Sequence, residues 1–218
     1  MPRSQPPPRG DLKGVIPVTV AFIVAKSALA SRQAKGLAEK GLGARVRNGL
    51  YRPFYIAFSG VGAVLLVRKV YRGPHKVLYD LRPPFSWLMR VGQVACVLAT
   101  IETTRVVGPG FFGAPQLKAF LGGGEPAPEP QAQGPALRED GELQSHSVFA
   151  VTRHPNNWFP TAIFLFEPRM TDKRLAFCLL TALHGLVGSV HEEYRLRKDY
   201  GDAVYDRYAK KAPFLFGR

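Results

Sequence analysis

Long hydrophobic stretches separated by short polar segments dominate the pattern along this chain. Five apolar runs stand out, at residues 15–25, 54–67, 85–107, 158–166 and 175–190. An α-helix rises about 1.5 Å per residue, so the last run extends about 24 Å, close to the roughly 30 Å hydrocarbon core of a bilayer. The pattern predicts an all-α, polytopic membrane bundle with four or five spans.

Polar and low-complexity segments divide the chain into four predicted parts. Residues 1–14 are basic and rich in proline, which predicts disorder. An N-terminal transmembrane bundle is predicted over residues 15–121, and a helical hairpin with a C-terminal tail over residues 146–218. Between them, residues 122–145 are rich in glycine and proline and offer no apolar face to bury. We interpret them as a flexible linker that is dispensable for folding.

The first apolar run has two interpretations. A basic start, a hydrophobic run at 15–25 and the small residues Ala28 and Ala30 are typical of a secretory signal peptide. The alternative is a first, slightly short transmembrane helix. We favour the helix, because the rest of the chain already requires membrane insertion.

The C-terminal tail has the periodicity of an amphipathic helix. Leu196, Tyr200, Val204 and Tyr208 recur at steps of four residues and so share one helical face. Charged residues lie outside that stripe. We expect a helix that lies on the membrane surface and caps the hairpin on its cytosolic side.

The charge balance indicates the kind of partner. Thirty Lys and Arg against sixteen Asp and Glu give a formal net charge of +14. The cations cluster beside apolar runs, which favours anionic lipid headgroups over nucleic acid. Segment 32–52 and the C-terminal tail are basic, which predicts that both lie on the cytosolic side. Loop 68–82 is also basic and favours the opposite orientation. The two cysteines lie inside apolar runs and indicate packing, so no metal site is predicted.

Ionisable residues flank the last two apolar runs. Arg153 and His154 precede the first of these runs, and Glu192 and Glu193 follow the second. Charged groups beside membrane-length apolar segments are costly to maintain and therefore indicate a site. Because the two runs predict an up-and-back hairpin, we expect both pairs to meet in one pocket on the same side of the membrane, with Arg153 close to Glu192.

Several short motifs in the last third of the chain occur in a known order. They are R-H-P-x-x-W at 153–158, H-E-E-Y-R-L at 191–196, Tyr200-Gly201, Tyr205-x-x-Tyr208 and the late Pro213. This order, over residues 150–216, resembles the isoprenylcysteine carboxyl methyltransferase superfamily. Its members are integral-membrane methyltransferases that include phospholipid and thiol methyltransferases, with the NnrU proteins as relatives. Asn157 stands where the family has tyrosine, and Phe159 where it has glycine.

The resemblance implies a specific activity. It implies methyl transfer from S-adenosylmethionine to a thiol, an isoprenylcysteine carboxylate or a phospholipid amine, at a site that faces the cytosol. Such transfer depends mainly on positioning and electrostatics. The implied catalytic residues are Arg153, Glu192 and Glu193. The implied cofactor-binding residues are Arg153, His154, Asn157, Trp158, Glu192, Tyr205 and Tyr208.

Two other classes of function remain open at this point. His184 and His191 share a helical face and, with His154, have the chemistry to ligate haem b. Some NnrU-like relatives are associated with haem, so a haem-associated isomerase or redox protein is the alternative enzyme. In the third interpretation the protein is not catalytic, and an Arg–Glu pair only fixes the hairpin.

Overall fold

The structure is a computed structural model that describes residues 12–128 and 134–216. Helix makes up 74% of it and strand 4%, which confirms the predicted all-α class. The helices are α1 (Leu12–Ala30), α2 (Arg32–Leu42), α3 (Ala44–Tyr71), α4 (Phe85–Val107), α5 (Ala114–Leu121), α6 (Val148–Val151), α7 (Pro155–Leu165), α8 (Asp172–Tyr200) and α9 (Asp202–Lys211). A 3-10 turn covers Pro109–Phe112, and the strands are β1 (Val77–Asp80) and β2 (Arg169–Thr171).

Within the described ranges, three helices are long and apolar enough to cross a membrane: α1, α3 and α8. This confirms the membrane character of the chain but not the predicted count of four or five spans. The run at 158–166 forms the 11-residue α7, which at about 1.5 Å per residue is too short to cross a bilayer alone. The run at 85–107 forms the 23-residue α4, whose apolar character is reduced by Arg90, Glu102 and Arg105.

The N-terminal region is more helical than its composition predicted. α1 packs against α3 and α8, so the first apolar run is part of the bundle. The segment that follows is α2, which the Ser31 hydroxyl caps by accepting a hydrogen bond from the Ala34 N–H at 3.2 Å. Gly43 separates α2 from α3 with a φ of 85°, a conformation that favours glycine. Of the part predicted to be disordered, residues 1–11 lie outside the described ranges, and residues 12–14 belong to α1.

An ionic cluster fixes the turn of the hairpin formed by α7 and α8. β1 and β2 pair as a short antiparallel ribbon that the sequence pattern did not predict. Next to it, the buried carboxylate of Glu167 accepts a hydrogen bond from the Tyr71 hydroxyl. The same carboxylate lies 3.4 Å from Arg90 and 3.6 Å from Arg174. These contacts join α3, α4 and α8 at the end of the bundle where the hairpin turns.

The tail forms two helices instead of the single one predicted. Gly201 adopts a φ of 85° between α8 and α9 and redirects the chain. As a result, Leu196 at the end of α8 and both Tyr205 and Tyr208 of α9 are buried in one core. The predicted apolar stripe therefore faces the hairpin, and its residues Tyr205 and Tyr208 are buried against it.

The second half of the predicted linker is packed, which corrects the expectation that it has no apolar side chain to bury. Leu143 is 2% exposed and lies in the same core as Leu196. The Tyr200 hydroxyl donates a hydrogen bond to the Pro135 carbonyl at 2.9 Å. Glu142 accepts hydrogen bonds at 2.7 Å from both Arg207 and Lys211 of α9. Residues 129–133 of the predicted linker lie outside the described ranges.

We therefore expect the linker to contribute to stability through Leu143. Leu143→Ala removes a buried side chain and should lower the free energy of unfolding by about 2–5 kcal/mol. Leu137 pairs with Leu143 through a β-bridge yet is 56% exposed, so Leu137→Ala is a matched control with a small effect. Thermal unfolding in detergent compares the two variants. Equal melting temperatures would show that Leu143 does not hold the linker in place.

Candidate functional site

Three separate segments bring ionisable side chains together at the polar end of α8. The loop before α7 contributes Arg153 and His154, and the end of α8 contributes Glu192 and Glu193. α9 contributes Tyr205, which turns back onto α8 after Gly201. The structure therefore places the two pairs that flank the hairpin in one cluster, as their sequence positions predicted.

His154 occupies the centre of this cluster and is only 1% exposed. Its Nδ1 lies 3.1 Å from Glu192 Oε2, and its Nε2 lies 2.8 Å from Glu193 Oε1. An ionised carboxylate only accepts hydrogen bonds, so both ring nitrogens must donate, which requires an imidazolium. Burial by itself lowers the pKa of His154, but its hydrogen bonds to Glu192 and Glu193 outweigh this effect and leave the pKa raised.

The ion pair of Arg153 differs from the predicted one. Its Nη1 lies 3.3 Å from Glu193 Oε2, so its partner is Glu193 and not Glu192. Consecutive residues on an α-helix point about 100° apart, and only one of two adjacent glutamates can face the arginine. Glu193 also accepts a hydrogen bond from the Tyr205 hydroxyl at 2.6 Å. Three side chains therefore hold Glu193 in a fixed position.

Glu192 faces α7 instead. Its Oε2 accepts a hydrogen bond from Asn157 Nδ2 at 3.1 Å, and the same amide donates to the Ser189 hydroxyl at 3.0 Å. Gly185 allows this approach, because a Cβ there would lie 3.1 Å from the Asn157 carbonyl oxygen. Ser189 is a site residue that sequence reasoning missed. Its position three residues before Glu192, on the same helical face, is the signal that identifies it.

The C-terminal segment covers the loop that carries Arg153 and His154. The Arg153 N–H donates to the Pro213 carbonyl at 2.9 Å, and the Thr152 hydroxyl donates to the Phe214 carbonyl at 3.0 Å. The Phe214 ring lies 5.2 Å from the His154 ring and 5.5 Å from the Arg153 guanidinium carbon. Neither Thr152 nor Phe214 was assigned to the site from sequence, although Phe214 directly follows Pro213 of the motif order. Their contacts depend on the chain folding back after α9, which has no local signature.

Several buried polar atoms near this cluster make no hydrogen bond within the described residues. They are Arg153 Nε, Trp158 Nε1 and the Tyr208 hydroxyl. Tyr208 is 1% exposed, and burial is the largest of the effects that raise the pKa of its phenol. Burial also raises the pKa of Tyr205, with the hydrogen bond to Glu193 as the second cause. An unpaired buried polar group costs about 1–3 kcal/mol, so these atoms represent hydrogen-bonding capacity that a ligand can use.

The histidines considered as haem ligands do not gather at one point. Both ring nitrogens of His154 are engaged by carboxylates. His184 lines a groove between α8 and α1, and His191 lies exposed at the polar end of α8. In the part of the chain that the structure describes, no set of three or more His, Cys, Asp or Glu side chains is arranged to hold a metal ion.

Comparison of the chain with protein-family models, with curated proteins and with solved structures found no match. A functional assignment therefore depends on the geometry of this cluster and on the order of its motifs.

Because His154 is protonated in this cluster, we expect its contribution to stability to depend on pH. Its pKa in the folded protein is raised above the usual 6.5, so the stability that it contributes is complete below about pH 6.5. That contribution decreases as the pH rises and is lost above the raised pKa. We expect the melting temperature of the wild type to exceed that of His154→Gln most at about pH 5.5, with the difference narrowing towards pH 9. A difference that stayed constant or grew with pH would mean that His154 is not an imidazolium.

Proposed function

We propose that this protein is an integral-membrane methyltransferase that uses S-adenosylmethionine and acts on a small or lipidic acceptor. The observation that carries the proposal is the convergence of two cations and two carboxylates, with unpaired buried polar atoms beside them, at the polar end of α8. The order of motifs around these residues resembles that of the membrane methyltransferase superfamily and indicates methyl transfer as the reaction. The acceptor classes are a thiol, an isoprenylcysteine carboxylate and a phospholipid amine.

The chemistry of the available atoms matches the polar groups of this cofactor. Arg153 has an unpaired Nε and suits the methionyl carboxylate. Glu192 uses only Oε2 for its contacts with His154 and Asn157. Its Oε1 therefore suits an ammonium group or ribose hydroxyls. Trp158 Nε1 and the Tyr208 hydroxyl, which have no partner among the described residues, suit the remaining polar groups of the molecule.

The other residues of the cluster act by positioning. The cofactor, when bound, supplies a methyl group that is already activated on a sulfonium, so little proton transfer is required. His154 fixes the direction of the carboxylates of Glu192 and Glu193. Burial raises the pKa of Glu193, but its hydrogen bonds to His154 and Tyr205 outweigh this effect and leave that pKa lowered. Tyr205 and Arg153 hold Glu193 in turn. Preorganised charges of this kind are the main contribution that a protein makes to such a transfer.

We extend the proposal to the number of helices that cross the membrane. α4 has 23 residues, or about 34 Å of helix, which is long enough to cross a bilayer. One face of α4 packs on α7, and the other exposes Leu88, Val91, Val94 and Leu98, as expected for contact with lipid. We therefore propose α4 as a fourth span beside α1, α3 and α8. The cluster then faces the cytosol, where the cofactor is, and the basic residues beside the spans contact anionic headgroups.

The decisive experiment measures the affinity of purified protein for S-adenosylmethionine by calorimetry. Glu192→Gln keeps the size of the side chain and removes its charge, so the affinity should fall roughly ten- to a hundredfold through loss of a charge-assisted hydrogen bond. Glu39 is exposed on α2, and Glu39→Gln is the control that should bind like the wild type. An unchanged affinity in Glu192→Gln, together with a lower melting temperature, would assign Glu192 a structural role only. Failure of the wild type to bind would refute the proposed function.

The two tyrosines of α9 provide a second test, because their hydroxyls differ in one respect. The Tyr205 hydroxyl donates a hydrogen bond to Glu193, whereas the Tyr208 hydroxyl has no partner in the described part of the chain. Tyr205→Phe should lower the melting temperature of the ligand-free protein, since Glu193 loses a donor. Tyr208→Phe should leave that temperature unchanged or raise it, yet weaken cofactor binding about three- to tenfold. Equal effects of the two substitutions on both quantities would contradict this division of roles.

A further inference from the structure

An open groove of about 620 Å³ lies between α1 and α8. This volume falls within the range of about 300–1,000 Å³ that is typical of small-molecule sites. Its walls are mostly apolar and include Val20 and Val24 of α1 and Leu183 and Val187 of α8. Two polar side chains, Ser27 of α1 and His184 of α8, interrupt this apolar lining.

The groove is separate from the proposed cofactor site. Leu180, His184 and Val187 recur every three or four residues, so they share the face of α8 that looks towards α1. Ser189 and Glu192, which contact α7, lie on another face of the same helix. A molecule in the groove is thus divided from the ionic cluster by α8 itself. It is not the acceptor of the proposed reaction, and the inference does not depend on that reaction.

His184 lies deep within the apolar segment. It is nine residues from one end of the run at 175–190 and six residues from the other, which corresponds to about 13 Å and 9 Å of helix. Neither His184 nor Ser27 makes a side-chain hydrogen bond to another described residue. Polar groups at hydrocarbon depth are costly without a partner, and such residues mark sites by default.

We propose that the groove binds a neutral, largely hydrocarbon lipid with one oxygen that accepts hydrogen bonds from His184 and Ser27. The apolar walls match the hydrocarbon part, and among the described residues that line the groove there is no Asp, Glu, Lys or Arg, although the Lys26 cation next to Ser27 lies near enough to act on His184. Because His184 lies six residues inside the run at 175–190, we take the oxygen that reaches it to be one carried within the hydrocarbon part of the lipid. A carbonyl oxygen has two lone pairs and therefore has the capacity to accept hydrogen bonds from two donors.

The test uses full-length protein in detergent micelles with its histidines labelled with nitrogen-15. The probe is 2-dodecanone, and dodecane is the matched probe without oxygen. We expect the ketone to shift one imidazole resonance in a saturable manner and to bind about three- to tenfold more tightly than dodecane, the value of a neutral hydrogen bond. His184→Leu identifies that resonance by its disappearance.

Variants separate the polar site from a general affinity for hydrocarbon. Because His184→Leu lacks the reporting imidazole, the affinities of all variants are measured by calorimetry. His184→Leu should bind ketone and alkane equally, and Ser27→Ala should keep part of the preference for ketone. His191→Leu is the control on the same helix, outside the groove, and should keep the full preference. The proposal is overturned if the wild type does not distinguish ketone from alkane, if no imidazole resonance shifts, or if Ser27→Ala and His184→Leu both retain the wild-type preference. None of these outcomes depends on binding of S-adenosylmethionine.

Discussion

One buried imidazolium held between two consecutive glutamates determines how the C-terminal third of this protein is assembled. His154 is removed from water, and a charge in that environment is tolerated only when its partners are in place. Glu192 and Glu193 meet that requirement from α8, Tyr205 supports Glu193 from α9, and the C-terminal segment closes over the ring through Phe214. The loop before α7, the end of α8 and the tail therefore all meet at this ionic contact.

α8 connects this contact to the rest of the bundle. One of its faces approaches α7 closely at Gly185 and carries Ser189, whose hydroxyl accepts a hydrogen bond from the Asn157 amide. Another face meets α1 across the groove that contains His184. At the beginning of α8, the Glu167 cluster ties the hairpin turn to α3 and α4. Ionic clusters thus lie at both ends of the apolar segment of α8, and the groove lies on a different face of that segment from the contacts with α7.

Sequence reasoning was most successful where the physical requirement is local. Apolar runs of membrane length became helices, and the pairs at 153–154 and 192–193 came together because a hairpin must return to its own side. It failed where a contact depends on distant segments. Leu143 was assigned to a linker because Gly and Pro surround it, yet α8 and α9 provide its core. The partner of Arg153 also could not be chosen from sequence, since adjacent glutamates are equivalent until the direction of each is fixed.

The sequence by itself determined the helical class, the membrane character and the residue types that form the candidate site. These follow from the hydrophobic effect and helical periodicity, which act within one segment at a time. Only the tertiary structure decided which glutamate binds which cation, which tyrosine hydroxyl remains unpaired, and which face of α8 opens towards α1. Each of these depends on the rotation of one helix relative to another, and that rotation is set by packing across the whole bundle.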